Sequence, residues 1–172
     1  ILYRTYTFFA TLPSYLRVVA WPNDLHMDRS FSVYTGLYWP VFFGLCFMIL
    51  AGTVVWRERN ARNPYWSFGI LWFLTAHVPH MGVLLPVNSF FLEHWLYLPS
   101  IGLVICLGEW LSQQKFVSQS VMRPAVVGVA LAWGVLTFMQ NKVWATPISF
   151  YTNILQYESK VARVYNILAR AY

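Results

Sequence analysis

Between Arg62 and Glu93 the chain reads NPYWSFGILWFLTAHVPHMGVLLPVNSFFL (residues 63–92), thirty consecutive residues without a formal charge. A helix needs roughly 20 mostly apolar residues to cross the hydrocarbon core of a bilayer, where every backbone polar group must be satisfied internally. Three further charge-poor stretches, 30–56, 94–108 and 124–141, flank this one. Four such stretches in 172 residues leave little chain for a water-soluble domain.

Composition points the same way. The chain is 58% hydrophobic and 10% charged, with mean hydropathy +0.49, whereas about 25% charge is ordinary for a soluble domain. Trp and Tyr gather near the ends of the apolar runs (Trp21, Tyr38, Trp39, Trp56, Trp66, Trp95, Tyr97, Trp144), the level at which amphipathic rings settle among headgroups. The net charge of +6 is scattered through short loops and forms no stripe. It reads as a topology signal with membrane lipids as partners, and nucleic acid is not expected. Cys46 and Cys106 fall inside apolar spans and read as small core hydrophobes. The chain opens on Ile1 with no initiator Met and no signal segment, as expected of a piece of a longer protein.

The expected class is all-α, a polytopic integral membrane protein with four to five transmembrane helices at about 1–20, 37–56, 65–85, 95–111 and 124–140. Residues 1–140 would form the membrane domain. The segment 1–20 carries Arg4 and Arg17, so it reads as a spanning helix with snorkelling arginines or as a tilted interfacial one. Pro40 suits the first turn of its span. Pro79 predicts a kink in the 65–85 span, whose freed carbonyl needs a partner. Loop 57–64 has three Arg against one Glu, and loop 112–123 holds Lys115 and Arg123, whereas connector 86–94 holds Glu93 alone. The positive-inside rule then puts both basic loops in the cytoplasm and the C-terminal region 141–172 outside. There Thr146-Pro147 predicts an N-cap and first helical position of a helix lying along the membrane surface. Ser159 is a candidate cap for a second helix with Val161, Val164, Leu168 and Tyr172 on one face, a face with no evident partner in the sequence.

Few groups here are able to carry chemistry. Arg17, Asp24, His26, Asp28, Arg29, Glu93 and His94 fall on the predicted outer side. A carboxylate beside an imidazole at the edge of a span can orient a substrate hydroxyl or shuttle a proton, or simply end the helix. Asp24 and Asp28 form a polar loop able to hold a cation, though solvation alone accounts for them. His77 and His80 lack a matching third ligand, so no metal is expected. Phosphate-binding glycine loops and nucleophile elbows are missing from the sequence, and no cofactor is implied.

The run Glu93-His94-Trp95-Leu96-Tyr97-Leu98-Pro99-Ser100-Ile101-Gly102 resembles the Glu-Arg-x-Leu-Tyr-x-Pro-Ser-x-Gly signature of TMTC-type protein O-mannosyltransferases and their bacterial relatives. These are GT-C membrane glycosyltransferases followed by tetratricopeptide repeats. Residues Leu12 to Leu25, an apolar helix ending in Trp21-Pro22 before an acidic loop, are similar to the corresponding family segment. Trp144 to Tyr157 resembles the family's junction, and Val164 to Tyr172 looks like helix A of a tetratricopeptide repeat. The resemblance implies glycosyl transfer from a polyprenyl-phosphate sugar at the outer leaflet of a bacterial inner membrane, or of the endoplasmic reticulum in a eukaryote. It implies Arg17, Glu93, His94 and Tyr97 near the lipid-phosphate headgroup. His94 departs from the family's usual Arg, and the class's catalytic acid belongs to a first outer loop preceding Ile1, so the catalytic residue is unassigned. The rival expectation is a non-catalytic transmembrane subunit packed against other membrane subunits. A transporter fragment fits less well, because the spans hold almost no ionisable residues.

Overall fold

The computed structural model describes residues 2–22, 24–27, 29, 31–82, 89–114, 118–158 and 161–171. All regular structure among them is helical: α1 (Leu2–Ala20), α2 (Trp39–Glu58), α3 (Tyr65–His77), α4 (Tyr97–Gln113), α5 (Gln119–Val143), α6 (Pro147–Tyr157) and α7 (Ala162–Ala171), with 3-10 turns at Val78–His80 and Glu93–Leu96. Three helical stretches, Trp39–Glu58, Glu93–Gln113 and Gln119–Val143, are long and apolar enough to cross a membrane.

Local chemistry sets the boundaries. Pro40 sits in the first turn of α2, where its missing N–H costs no hydrogen bond. The expected kink at Pro79 is instead a helix end. Proline cannot donate to the Thr75 carbonyl, and the N–H of Val78 takes it, tightening the chain into the 3-10 turn. α3 thus has 13 residues, about 20 Å of helix, and residues 83–85 of the expected span lie outside the described ones. α5 starts five residues before Pro124 because Ser118 caps it, its hydroxyl accepting from Ser120 N.

The chain forms two compact units, 1–112 and 113–172. In the first, α1 is the most buried helix, with Phe8, Leu12, Tyr15 and Val18 in a core completed by Phe73, Phe91 and Leu96. Both halves of α1 touch the segment joining α3 to α4: Arg4 donates to Gly82 O at 3.0 Å and Tyr15 OH to Leu92 O at 3.4 Å. The loop before α2 returns along α1, with Tyr34 N donating to Thr7 Oγ1 at 3.0 Å. Rings from four segments fill the space between. Phe91 stacks between Tyr15 (4.1 Å) and Phe31 (5.6 Å), while His77 lies against Tyr15 (4.8 Å) and Phe73 (4.6 Å).

Backbones approach closely at two crossings. A Cβ on Gly44 of α2 would stand 1.9 Å from Phe9 O of α1. Phe9 is four residues before Pro13, so its carbonyl is the one that proline leaves without a helical donor, and Gly44 packs directly on it. A Cβ on Gly102 of α4 would stand 2.2 Å from Gly69 O of α3, and Trp72 Nε1 donates to Leu98 O at 3.0 Å beside this contact. Small residues at such crossings are how apolar helices pack without a hydrophobic driving force between them. Cys106 is buried here, near Trp66 O. Cys46, expected in the core, is exposed on α2 instead.

In the second unit no residue of α5 is buried. The predicted cap of α6 is present as a capping box: Thr146 Oγ1 accepts from Ser149 N at 3.1 Å, and Ser149 Oγ accepts from Thr146 N at 3.2 Å. The expectation that the apolar face of 159–172 has no partner in the chain is corrected. α6 and α7 pack together, with Ile154 and Val164 buried. Ser159 and Tyr172 lie outside the described residues.

Candidate functional site

The charged groups singled out in the sequence converge at one place, and the residue that joins them is Arg29. Its Nε donates to Glu93 Oε1 at 2.8 Å, and its Nη2 donates to the same oxygen. On the other side Nη1 donates to Asp24 Oδ2 at 3.0 Å, and Nη2 to the Asp24 backbone carbonyl at 2.7 Å. Arg17, in the last turn of α1, donates to Asp24 Oδ2 at 2.9 Å. The order is Arg17, Asp24, Arg29, Glu93, with two cations against two anions.

Local folding explains the arrangement. α1 ends at Ala20 before Trp21-Pro22, and loop 24–29 turns back over its end. Glu93 N donates to Met27 O at 3.1 Å, which ties that loop to the start of the 3-10 turn before α4. Beneath, the Arg29 guanidinium lies 5.8 Å from the centre of the buried Phe91 ring, so one aromatic column supports both sides of the network. The side chains of Arg29 and Glu93 are each 13% exposed, whereas Arg17 is 52% exposed.

Electrostatics follow from this burial. Hydrogen bonding from Arg29 holds the Asp24 carboxyl well below the usual carboxylate range, overcoming the opposing effect of partial burial, and Arg17 adds to it. Burial works against the charge of Arg29, yet its hydrogen bonds to Asp24 and Glu93 outweigh that and raise its pKa. The Asp24 contribution to stability is fully present above the unfolded-state pKa of about 3.9. It is lost progressively as the pH falls from there toward the depressed folded-state value. Unfolding measured across acid pH should therefore steepen below roughly pH 4, and Asp24→Asn should flatten that dependence. An unchanged acid limb in the variant would show that Asp24 is unpaired in solution.

His26 is buried beside the network, with its Nδ1 2.7 Å from the Asp24 carbonyl, and the other candidates sit outside it. His94 is exposed, with its ring centre 6.1 Å from that of Trp95, and Tyr97 is 82% exposed. Asp28 lies outside the described residues. His80 stacks on Trp95 at 4.7 Å, while His77 is enclosed by rings with its Nδ1 on Phe73 O at 2.9 Å. Sequence reasoning placed Arg29 on the predicted outer side but gave it no role. The missed signal was charge balance, because an acid opening an apolar span needs a cation within reach, and Arg29 is the last Arg or Lys before the span expected at 37–56. The chain matches no family model, no curated protein and no solved structure.

Proposed function

We propose that this chain is the donor-binding end of a GT-C-type membrane glycosyltransferase that uses a polyprenyl-phosphate sugar. The observation that supports this reading is the convergence of Arg17, Asp24, Arg29 and Glu93 at the opening of the Glu93 to Gly102 run. In this reading the half-exposed Arg17 guanidinium meets the lipid phosphate, and a charge-assisted hydrogen bond there steadies the leaving group as negative charge develops. Glu93 is a positioning residue. Clamped by Arg29, it fixes the loop that carries Asp24 and so aims Arg17, and proton transfer falls to an acid elsewhere in the protein. His94 and Tyr97 extend the headgroup surface, with His94 making the phosphate contact sensitive to pH. α1 and α3 are the further membrane-embedded elements of a four- to five-helix domain. The basic turns 57–64 and 112–123 face the cytoplasm, and α6 with α7 begins a tetratricopeptide-like region outside.

A second reading, a non-catalytic transmembrane subunit, draws support from the mutual neutralisation of the four charges, which suits a purely structural clasp. Arg17→Gln separates the two. Because Arg17 is exposed, the variant should fold normally, yet glycosyl transfer in membranes containing the whole protein should show a donor KM raised about tenfold or more, the scale of one hydrogen bond to a charged group. Unchanged transfer kinetics would favour the subunit.

A further inference from the structure

We propose that the opposite end of α2 carries a groove for an anionic phospholipid, with the headgroup at Trp56, Arg57 and Arg59 and an acyl chain along Gly52. The groove is an open furrow in the surface of α2 itself, about 500 Å³ in volume and lined by six residues of that one helix, Ile49, Leu50, Gly52, Thr53, Trp56 and Arg57. Its floor is Gly52, where an added Cβ would meet nothing within 4 Å. One end is aliphatic and the other is aromatic and cationic. The Arg59 guanidinium lies 3.9 Å over the Trp56 ring, a geometry that fixes both side chains by cation–π attraction.

Charge complementarity names the occupant. Turn 57–64 contains one acid, Glu58, and that acid is turned inward. Its Oε2 accepts from Ser67 N at 2.9 Å and Ser67 Oγ at 3.2 Å, neutralising the start of α3. Arg57 and Arg59 are both exposed at this end of α2, and no other acid in turn 57–64 offsets them. The Thr53 hydroxyl donates within its own helix, to Leu50 O at 2.7 Å, so the aliphatic end offers no donor to a polar ligand. A phosphate head with an acyl tail satisfies both ends, whereas a free anion satisfies only one. This inference requires that α2 crosses the membrane and is independent of the glycosyl-transfer reading.

The test is quenching of Trp56 fluorescence in phosphatidylcholine nanodiscs containing a minor fraction of brominated phosphatidylglycerol or, separately, brominated phosphatidylcholine. The difference between the wild type and Trp56→Phe isolates the Trp56 signal. Brominated phosphatidylglycerol should be enriched at Trp56 about fivefold or more over brominated phosphatidylcholine, the scale of one arginine near an anionic surface. Arg57→Gln with Arg59→Gln should abolish the enrichment while circular dichroism stays unchanged. Gly52→Leu, which fills the groove and keeps both arginines, should abolish it as well. Equal quenching by the two lipids would overturn the site, and so would enrichment that survives Gly52→Leu. A Trp56 signal quenched by neither lipid would overturn it too, by placing α2 outside the bilayer.

Discussion

Gly44→Ala is expected to destabilise the 1–112 unit by about 3 kcal/mol, the upper part of the usual range for overpacking. The clash cannot be relieved by a rotamer change, because the added methyl meets backbone: 1.9 Å to Phe9 O and 2.5 Å to Phe9 C. Separating the helices would also uncover the carbonyl that Pro13 leaves without its helical donor, which is costly away from water. Gly102→Ala should behave similarly, since its Cβ would stand 2.2 Å from Gly69 O and 2.8 Å from Phe73 N. Gly52→Ala and Gly108→Ala meet nothing within 4 Å, so they should be stabilising by roughly 0.5–1 kcal/mol through helix propensity alone. Unfolding of the reconstituted protein by a denaturing detergent measures all four. Equal effects at Gly44 and Gly52 would mean that α1 and α2 do not cross at Phe9.

Arg29→Met should cost about 3–5 kcal/mol, the scale of removing one partner from a buried ion pair. Asp24 and Glu93 would then lose the guanidinium they share, leaving the half-exposed Arg17 beside Asp24 and His26 beside Glu93. Adding Asp24→Asn and Glu93→Gln to the same variant should recover much of the loss, because the penalty comes from uncompensated charge and not from lost volume. Arg17→Gln, by contrast, should cost less than about 1 kcal/mol, as exposed pairs do. The contrast between the two arginines is what the structure adds to a sequence in which both look alike. A small effect of Arg29→Met would show that loop 24–29 does not close over Glu93.

Features legible in the sequence were those fixed by a few neighbouring residues. The apolar runs located three helices able to span, Pro40 marked the start of α2, and Thr146-Pro147 announced the α6 cap that Ser149 completes. The features that were not legible depend on which helix meets which. Nothing local to Gly44 distinguishes it from Gly52, yet one bears on a backbone carbonyl and the other faces open space. The same holds for α7, whose apolar face looked bare because the segment that covers it reads locally as a surface helix. At the charged site Arg17, Asp24 and Glu93 were found from their positions at the ends of apolar runs. Arg29 was passed over, because its importance comes from lying within reach of an acid 64 residues away. His94 and Tyr97 were grouped with Glu93 because the resemblance covers the whole run. The structure exposes both of them and turns Glu93 toward Arg29.

One charge network centred on Arg29 locks the loop after α1 to the 3-10 turn that opens α4. A double-mutant cycle between Arg29→Met and Glu93→Gln, measured by unfolding of the bilayer-reconstituted protein, reads the strength of that lock. A coupling energy of about 2 kcal/mol or more is expected between the two positions. Additivity within about 0.5 kcal/mol, the behaviour of residues that share no contact, would contradict it.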